Sequence, residues 1–365
     1  MRKIVFYFCV LSLALVGTQA RAQSSVTLSG ALDAGVSYIS NQGGDKNIKF
    51  DDGIAMPNLL LLTGREDLGG GNAAIFRLNN QFVLGSGAFM PQGSLFTHEA
   101  FVGLESQTFG KLTLGNQFDF MIDTLFFNQY DAGGMFAVGQ YDFRNGPFTK
   151  LDLPDNPTGS YDWDRMETSS AIANSVKWSS PDFYGFSGGV MYGFGGVAGS
   201  IGSDNATSFG LNYAHGDFGF GAAYTNVKSG VDGAQASVRN WGLGSHYRAG
   251  PFMTMVLFTT VHNSMNGGGI WEVEVGEAYQ VTPFLSLSGA YMYMKGNDAV
   301  DSNHAHQLSA SISYFLSKRT SVYVDGVYQR ANNGANALIN GLIGPAAAAS
   351  GASQAIARIG MVTHF

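Results

Sequence analysis

The sequence predicts an all-β fold: a transmembrane antiparallel β-barrel of about sixteen strands over residues 23–365. Three observations predict it. Apolar and polar residues alternate with a period of two from one end of the chain to the other. Short turns alternate with longer Gly/Asn/Asp-rich stretches, the asymmetry of an outer-membrane barrel. No stretch after the first 22 residues holds the 18 or more apolar residues that a membrane helix needs. With no water to satisfy backbone groups inside a bilayer, a spanning chain without such helices closes its strands into a barrel.

The chain begins with Arg2 and Lys3, continues through the apolar IVFYFCVLSLALVG and reaches Ala20, Arg21 and Ala22, a small-x-small site. This is the layout of a secretory signal peptide over residues 1–22, so an exported protein is expected. Cys9, the only cysteine, lies inside the part removed, which excludes disulfide and thiolate chemistry from the mature chain. Without Arg2, Lys3 and Arg21 there remain 17 bases against 27 acids, a net charge of −10. That balance argues against a nucleic-acid partner. Only 13% of residues are charged and 50 are glycine, against roughly 25% and ~7% in soluble domains.

In SSVTLSGALDAGVSYIS, Val26, Leu28, Leu32, Val36 and Tyr38 fall on one face, and Thr27, Ser29, Asp33 and Ser37 on the other. FSGGVMYGF, SFGLNYAHG, FGFGAAYTN and FLSLSGAYMY repeat the pattern, and Ile359, Met361 and Phe365 close it. Such segments run about ten residues, as tilted membrane strands do. EDLGGG, SPDFYG, AHGD, RAGP, VTP and LSKR read as short turns; 41–57, 85–94, 196–204, 229–237, 263–269, 296–303 and 332–354 read as longer loops. A secreted sandwich or solenoid also alternates, but would not place aromatics so regularly at strand ends. In NLLLLTGREDLGGG, Leu60 and Leu62 are expected to face lipid, with Leu59, Leu61 and Thr63 facing the lumen.

Enzyme signatures are weak. GFSGG at 185–189 fits a nucleophile elbow by letter, yet its serine opens an alternating strand. GFGGVA at 193–198 has no helix after it, as a dinucleotide fingerprint requires. His304 and His306 share one face of a strand without a third ligand, so neither a metal nor an organic cofactor is expected.

The segments SSVTLSGALDAGV, GREDLGGGNAAIFRL, HEAFVGLESQTFGKLTLGNQFD, NSVKWSSPDFYGF, YQVTPFLSLSGAYMY, YFLSKRTSVYVDGVYQRA and the terminal phenylalanine of THF together resemble the general trimeric porins of Gram-negative outer membranes, β-proteobacterial branch. The resemblance implies a homotrimer in outer-membrane lipid and lipopolysaccharide, passive diffusion of small hydrophilic solutes, no catalysis, and a third loop folded into the lumen. It also implies that Phe365 is the aromatic end read by the barrel-assembly machinery; a place in the lower aromatic girdle is compatible with this.

Loop three is expected over about 116–167, a length usually tied to function. It carries Asp119, Asp123, Asp131, Asp142, Asp152, Asp155, Asp162 and Asp164, against Arg144, Lys150 and Arg165. The segment YDAGG resembles the acid and paired glycines at the tip of this loop in the family, which points to Asp131 as the constriction carboxylate, with Asp123 beside it. In the family a ladder of bases faces such acids. The matching positions here are Ala31, Leu59, Thr63, His98, Asn116 and about Ala171, of which only His98 can carry charge. Either the alignment slips and Arg65, Arg77 or Lys177 supplies the field, or the eyelet is poor in bases and leans toward cations. A substrate-selective pore and a non-conducting structural barrel are the alternatives. Alternation also places Asp33, Arg77, Lys177, Glu272 and Glu274 as lumen-facing charges. Glu277 falls on the lipid side, unless a bulge resets the register.

Overall fold

Seventeen strands join in one antiparallel sheet that closes on itself. The computed structural model describes residues 24–90, 94–167, 171–231, 234–344 and 346–365; the expected signal peptide, with Cys9, lies outside them. The strands are β1 Ser25–Gln42, β2 Asp45–Asp52, β3 Leu59–Gly69, β4 Asn72–Gln81, β5 Glu99–Ser106, β6 Gly110–Gln117, β7 Ile172–Ser179, β8 Phe186–Gly193 and β9 Ala206–His215. They continue as β10 Phe218–Val231, β11 Ala234–Ala249, β12 Phe252–Asn263, β13 Gly269–Thr282, β14 Leu285–Gly296, β15 His304–Phe315, β16 Thr320–Ala331 and β17 Ser353–His364.

The upper part of β1 pairs with β2, and its lower part, residues 25–31, with β3. β2 and β3 are therefore one stave interrupted at 53–58, and the barrel has sixteen staves. β1 also pairs with β17, from Ala31↔His364 to Ile39↔Ile356, which leaves no open edge.

The alternation sorts the two faces. Val26, Leu28, Val36 and Tyr38 are exposed on the outside, whereas Asp33 and Ser37 are buried inside. Leu60 and Leu62 share the outer rows of Gly30 and Leu28, and Leu59 lies inward between Ala31 and Gln81. Two stretches expected to be loops are strand instead. Residues 45–52 form β2, with Ile48 and Phe50 exposed, and the β10–β11 ladder continues to Val231↔Ala234. Glu277 pairs in unbroken register with Thr254 and Gly289, and the nearest irregularity follows Gln280, so it faces outward without a bulge. Thr254 Oγ1 donates a 2.6 Å hydrogen bond to it.

The interior is filled from one end. Residues 118–167 enter the lumen as short helical turns at Met121–Phe126, Gly133–Ala137, Gly139–Tyr141 and Thr149–Leu151. Wall glycines make room for them: a Cβ on Gly244 would lie 2.5 Å from the Tyr130 Cβ, and one on Gly210 2.1 Å from Thr124 Oγ1. The last loop also turns inward over 332–344, packing Leu338, Ile339 and Leu342 against Val138, Tyr141 and Ile54.

Ser187 lies within β8 rather than on a strand-to-helix elbow, and a non-helical loop follows Gly193. Phe365 exchanges two 3.1 Å backbone hydrogen bonds with Gly30, and its ring covers the space where a Gly30 side chain would stand, 2.5 Å from a Cβ there. Gly30→Val therefore displaces the terminal ring and weakens the seam. The variant is expected to lose its heat-resistant fast-migrating band on gels at a temperature where the wild type retains it; unchanged migration would contradict this packing.

Candidate functional site: the lumenal constriction

One guanidinium gathers carboxylates of loop three and the wall, alongside wall side chains such as Asn240, Asn263 and Ser288 that bond the loop backbone. Arg144 is fully buried and contacts Asp131 through Nη1, Asp164 through Nε at 3.3 Å, and Glu272 and Glu274 of β13 through Nη2 at 3.4 and 3.2 Å. Glu274 Oε1 accepts the N–H groups of Ala132 at 2.7 Å and Gly133 at 3.2 Å, so a strand carboxylate caps the loop backbone. Asp131 Oδ1 accepts Gly134 N–H at 2.6 Å. The Thr259 hydroxyl lies 2.8 Å from Asp164 and 3.0 Å from Glu272. Asp142 accepts the Ser309 hydroxyl of β15 at 2.6 Å. Burial raises the Asp131 carboxyl above its ordinary range although Arg144 opposes it, and Asp164 is pushed up to about 6 for the same reason.

Two cavities flank this plug. The one toward the short turns has a volume of about 500 Å³ and is lined by Arg77, Glu99, Lys111, Asp123, Lys177 and Asn212 among others. The one toward the long loops, about 520 Å³, includes His98, Asn156, Tyr161, Arg165 and Glu167. Three bases in and between them sit beside acids, whereas Lys111 makes no ion pair among the described residues. Arg77 Nε lies 2.5 Å from Glu99, Lys177 contacts Asp123 and donates to the Phe118 carbonyl at 2.7 Å, and Arg165 Nε lies 2.5 Å from Asp119.

The expected residues divide accordingly. Asp123, Arg77 and Lys177 come together on the channel side of the loop. Asp131 does not face the channel: it is 0% exposed, held behind the loop by Arg144. Glu272 and Glu274 point inward but are closed off by the same loop. Asp33 is likewise covered, accepting Ile54 and Ala55 N–H groups at 2.6 and 3.0 Å and pairing with Arg358 at 3.1 Å. His98 carries no charge near neutrality, because burial first and Arg77 second push it down to about 4; its Nε2 lies 2.5 Å from Gln81 Oε1. Asn116 is not in the lumen. It lies in the outer row with Ala100 and Leu78, and its amide donates to the Thr97 carbonyl at 3.1 Å. Thr63 faces inward opposite Arg77, Ala31 is buried beside Leu59, and Ala171 is half-buried just before β7. Arg65 sits at the short-turn rim, 2.7 Å from Glu105.

Sequence reasoning missed Arg144, Asp142 and Glu167 as organising groups. The available signal was the pair Glu272 and Glu274 on an inward face, which calls for a base from elsewhere. Glu167 joins loop three to the last loop, accepting from Gln140 at 2.8 Å, Tyr161 at 3.0 Å and Asn340 at 3.4 Å.

A closed sixteen-stave barrel with an inward third loop is a porin's architecture, and a family model described as Gram-negative porin matches residues 10–335. The chain belongs to that family. It is an outer-membrane protein. Among curated relatives, an outer membrane porin protein of Bordetella pertussis is 26% identical, covering 85% of this chain and 90% of its own length. Outer membrane porin protein 32 of Delftia acidovorans is 27% identical, covering 83% of each. Among solved structures, an anion-selective porin from Comamonas acidovorans superposes with a TM-score of 0.79 at 22% identity, covering 94% of this chain and 100% of its own. At that identity the match speaks for the fold.

The plug of this porin is open to two tests. Arg144→Met leaves four acids without their base and costs the loop about 3–5 kcal/mol of attachment. In planar bilayers the variant is expected to conduct more, with flickering, while the barrel stays heat-resistant; a wild-type trace would refute the anchoring role. Burial pushes the Glu167 carboxyl up to about 7 from 4.5. The folded contact therefore holds its proton where the free group has lost it. The link between the two loops is strongest at acid pH and weakens as pH rises from about 4.5 to about 7. Conductance is expected to rise from pH 5 to pH 8, and Glu167→Gln to hold the acid value throughout; an unaltered pH profile in the variant would assign the effect elsewhere.

Proposed function

We propose that the chain forms a water-filled channel for passive diffusion of small hydrophilic solutes and ions, assembled as a homotrimer. The observation that carries this reading is the pair of lumenal cavities on either side of loop three, the one toward the short turns lined by the charged side chains of Asp123, Glu99, Arg77 and Lys177. Transport is downhill and set by width and fixed charge, with no catalytic step.

The constriction is assigned to Asp123, Arg77 and Lys177 on the channel side, with Thr63 and Leu59 on the inward wall. Asp131 acts from behind as an anchor. Selectivity leans weakly toward cations. The bases Arg77, Lys177 and Arg165 each neighbour a carboxylate, so they offer little free positive field. The anion selectivity of the Comamonas porin does not transfer to this chain, since that likeness rests on the fold. Phe365 is assigned as the end read by the barrel-assembly machinery, and lipopolysaccharide as part of the surrounding lipid.

Reversal potentials across a KCl gradient test the assignment. A modest cation preference at neutral pH is expected, with closures in three steps; a clear anion preference would overturn the charge argument, and silence the channel itself.

A further inference from the structure

Asp131 and Asp142 of loop three and Glu274 of β13 each bring one carboxylate oxygen to within 4.8 Å of the others. All three side chains are enclosed, at most 1% exposed. Arg144 is the base that touches Asp131 and Glu274, and it also serves Asp164 and Glu272. Four buried carboxylates therefore share one guanidinium, and Asp142, beside them, does not touch it. Asp142 Oδ2 accepts no hydrogen bond from them, although Oδ1 of the same group takes the Ser309 hydroxyl at 2.6 Å and lies 3.3 Å from Gln307 Nε2. The free oxygen sits against Gly133, so close that a Cβ there would lie 1.9 Å from it. Gly133 N–H, in turn, is bound by Glu274 Oε1 at 3.2 Å. Two enclosed carboxylates thus meet over one glycine, an arrangement that needs a proton or a cation between them.

We propose that a hard divalent cation of calcium's class binds between Asp131, Asp142 and Glu274 and ties loop three to β13. The donors are all oxygen, the ligand set that such cations take, and Ca–O distances of about 2.3–2.6 Å fit a triad of this span. The ion takes the place of the proton that Glu274 and Asp142 would otherwise share, and it offsets negative charge that Arg144 does not neutralise. Bound there, it fixes two points of the loop, Asp131 and Asp142, to a strand paired on both sides.

The test uses the purified full-length protein in detergent, stripped with EDTA and dialysed against ⁴⁵Ca²⁺. One Ca²⁺ per chain is expected, with affinity reduced at least tenfold in Asp142→Asn and in Glu274→Gln, and with a higher melting temperature for the wild type in Ca²⁺ than in EDTA. The second variant and the wild-type melting comparison keep the test decisive where one substitution prevents folding. No bound Ca²⁺ would overturn the proposal in favour of a shared proton. Binding that both variants retain would overturn it in favour of exposed surface acids.

Discussion

The constriction depends on one buried electrostatic arrangement: the Arg144 guanidinium among carboxylates from both the loop and the wall. A barrel wall can hold its own backbone bonds in lipid, but a loop inside a sixteen-stave barrel has no ladder to join. It needs side chains to hold it. Glu274 does so by accepting two loop N–H groups, and Arg144 keeps that carboxylate company inside a space closed to water. The same enclosure makes the arrangement costly if one partner is lost, because an unpaired buried charge is far less tolerable than a paired one.

Alternation is enough to read the architecture. The rows holding Val26, Leu28, Leu60 and Leu62 face outward, and Asp33, Arg77, Lys177, Glu272 and Glu274 face inward, as parity requires. Parity says which side of the wall a residue occupies and nothing about what covers it. Resemblance says as little about cover: YDAGG points Asp131 to the constriction although Arg144 holds it behind the loop, and the family's ladder credits His98 with a charge that burial removes. Asn116 is misplaced for a different reason: matching by motif slips by one, and one residue in a strand changes the face. The inward turn of the last loop has no local signal, because contacts such as Asn340 with Gln140 join residues 200 apart in the chain.

The plug divides the charges by function. Behind the loop they are shut away and hold structure; in front of it Asp123, Lys177, Arg77 and Glu99 line an open cavity. A single segment can serve both ends because its short helical turns point one side at the wall and the other at the lumen. Wall glycines such as Gly210 and Gly244 let it lie close, which accounts for part of the glycine content that sets the composition apart.

The most direct test of loop anchoring is hydrogen exchange at Ala132, Gly133 and Gly134, whose N–H groups bond to Glu274 and Asp131. Protection comparable to that of the β13 ladder itself is expected. Exchange as fast as in an exposed loop would mean that the carboxylates and Arg144 do not hold loop three in place.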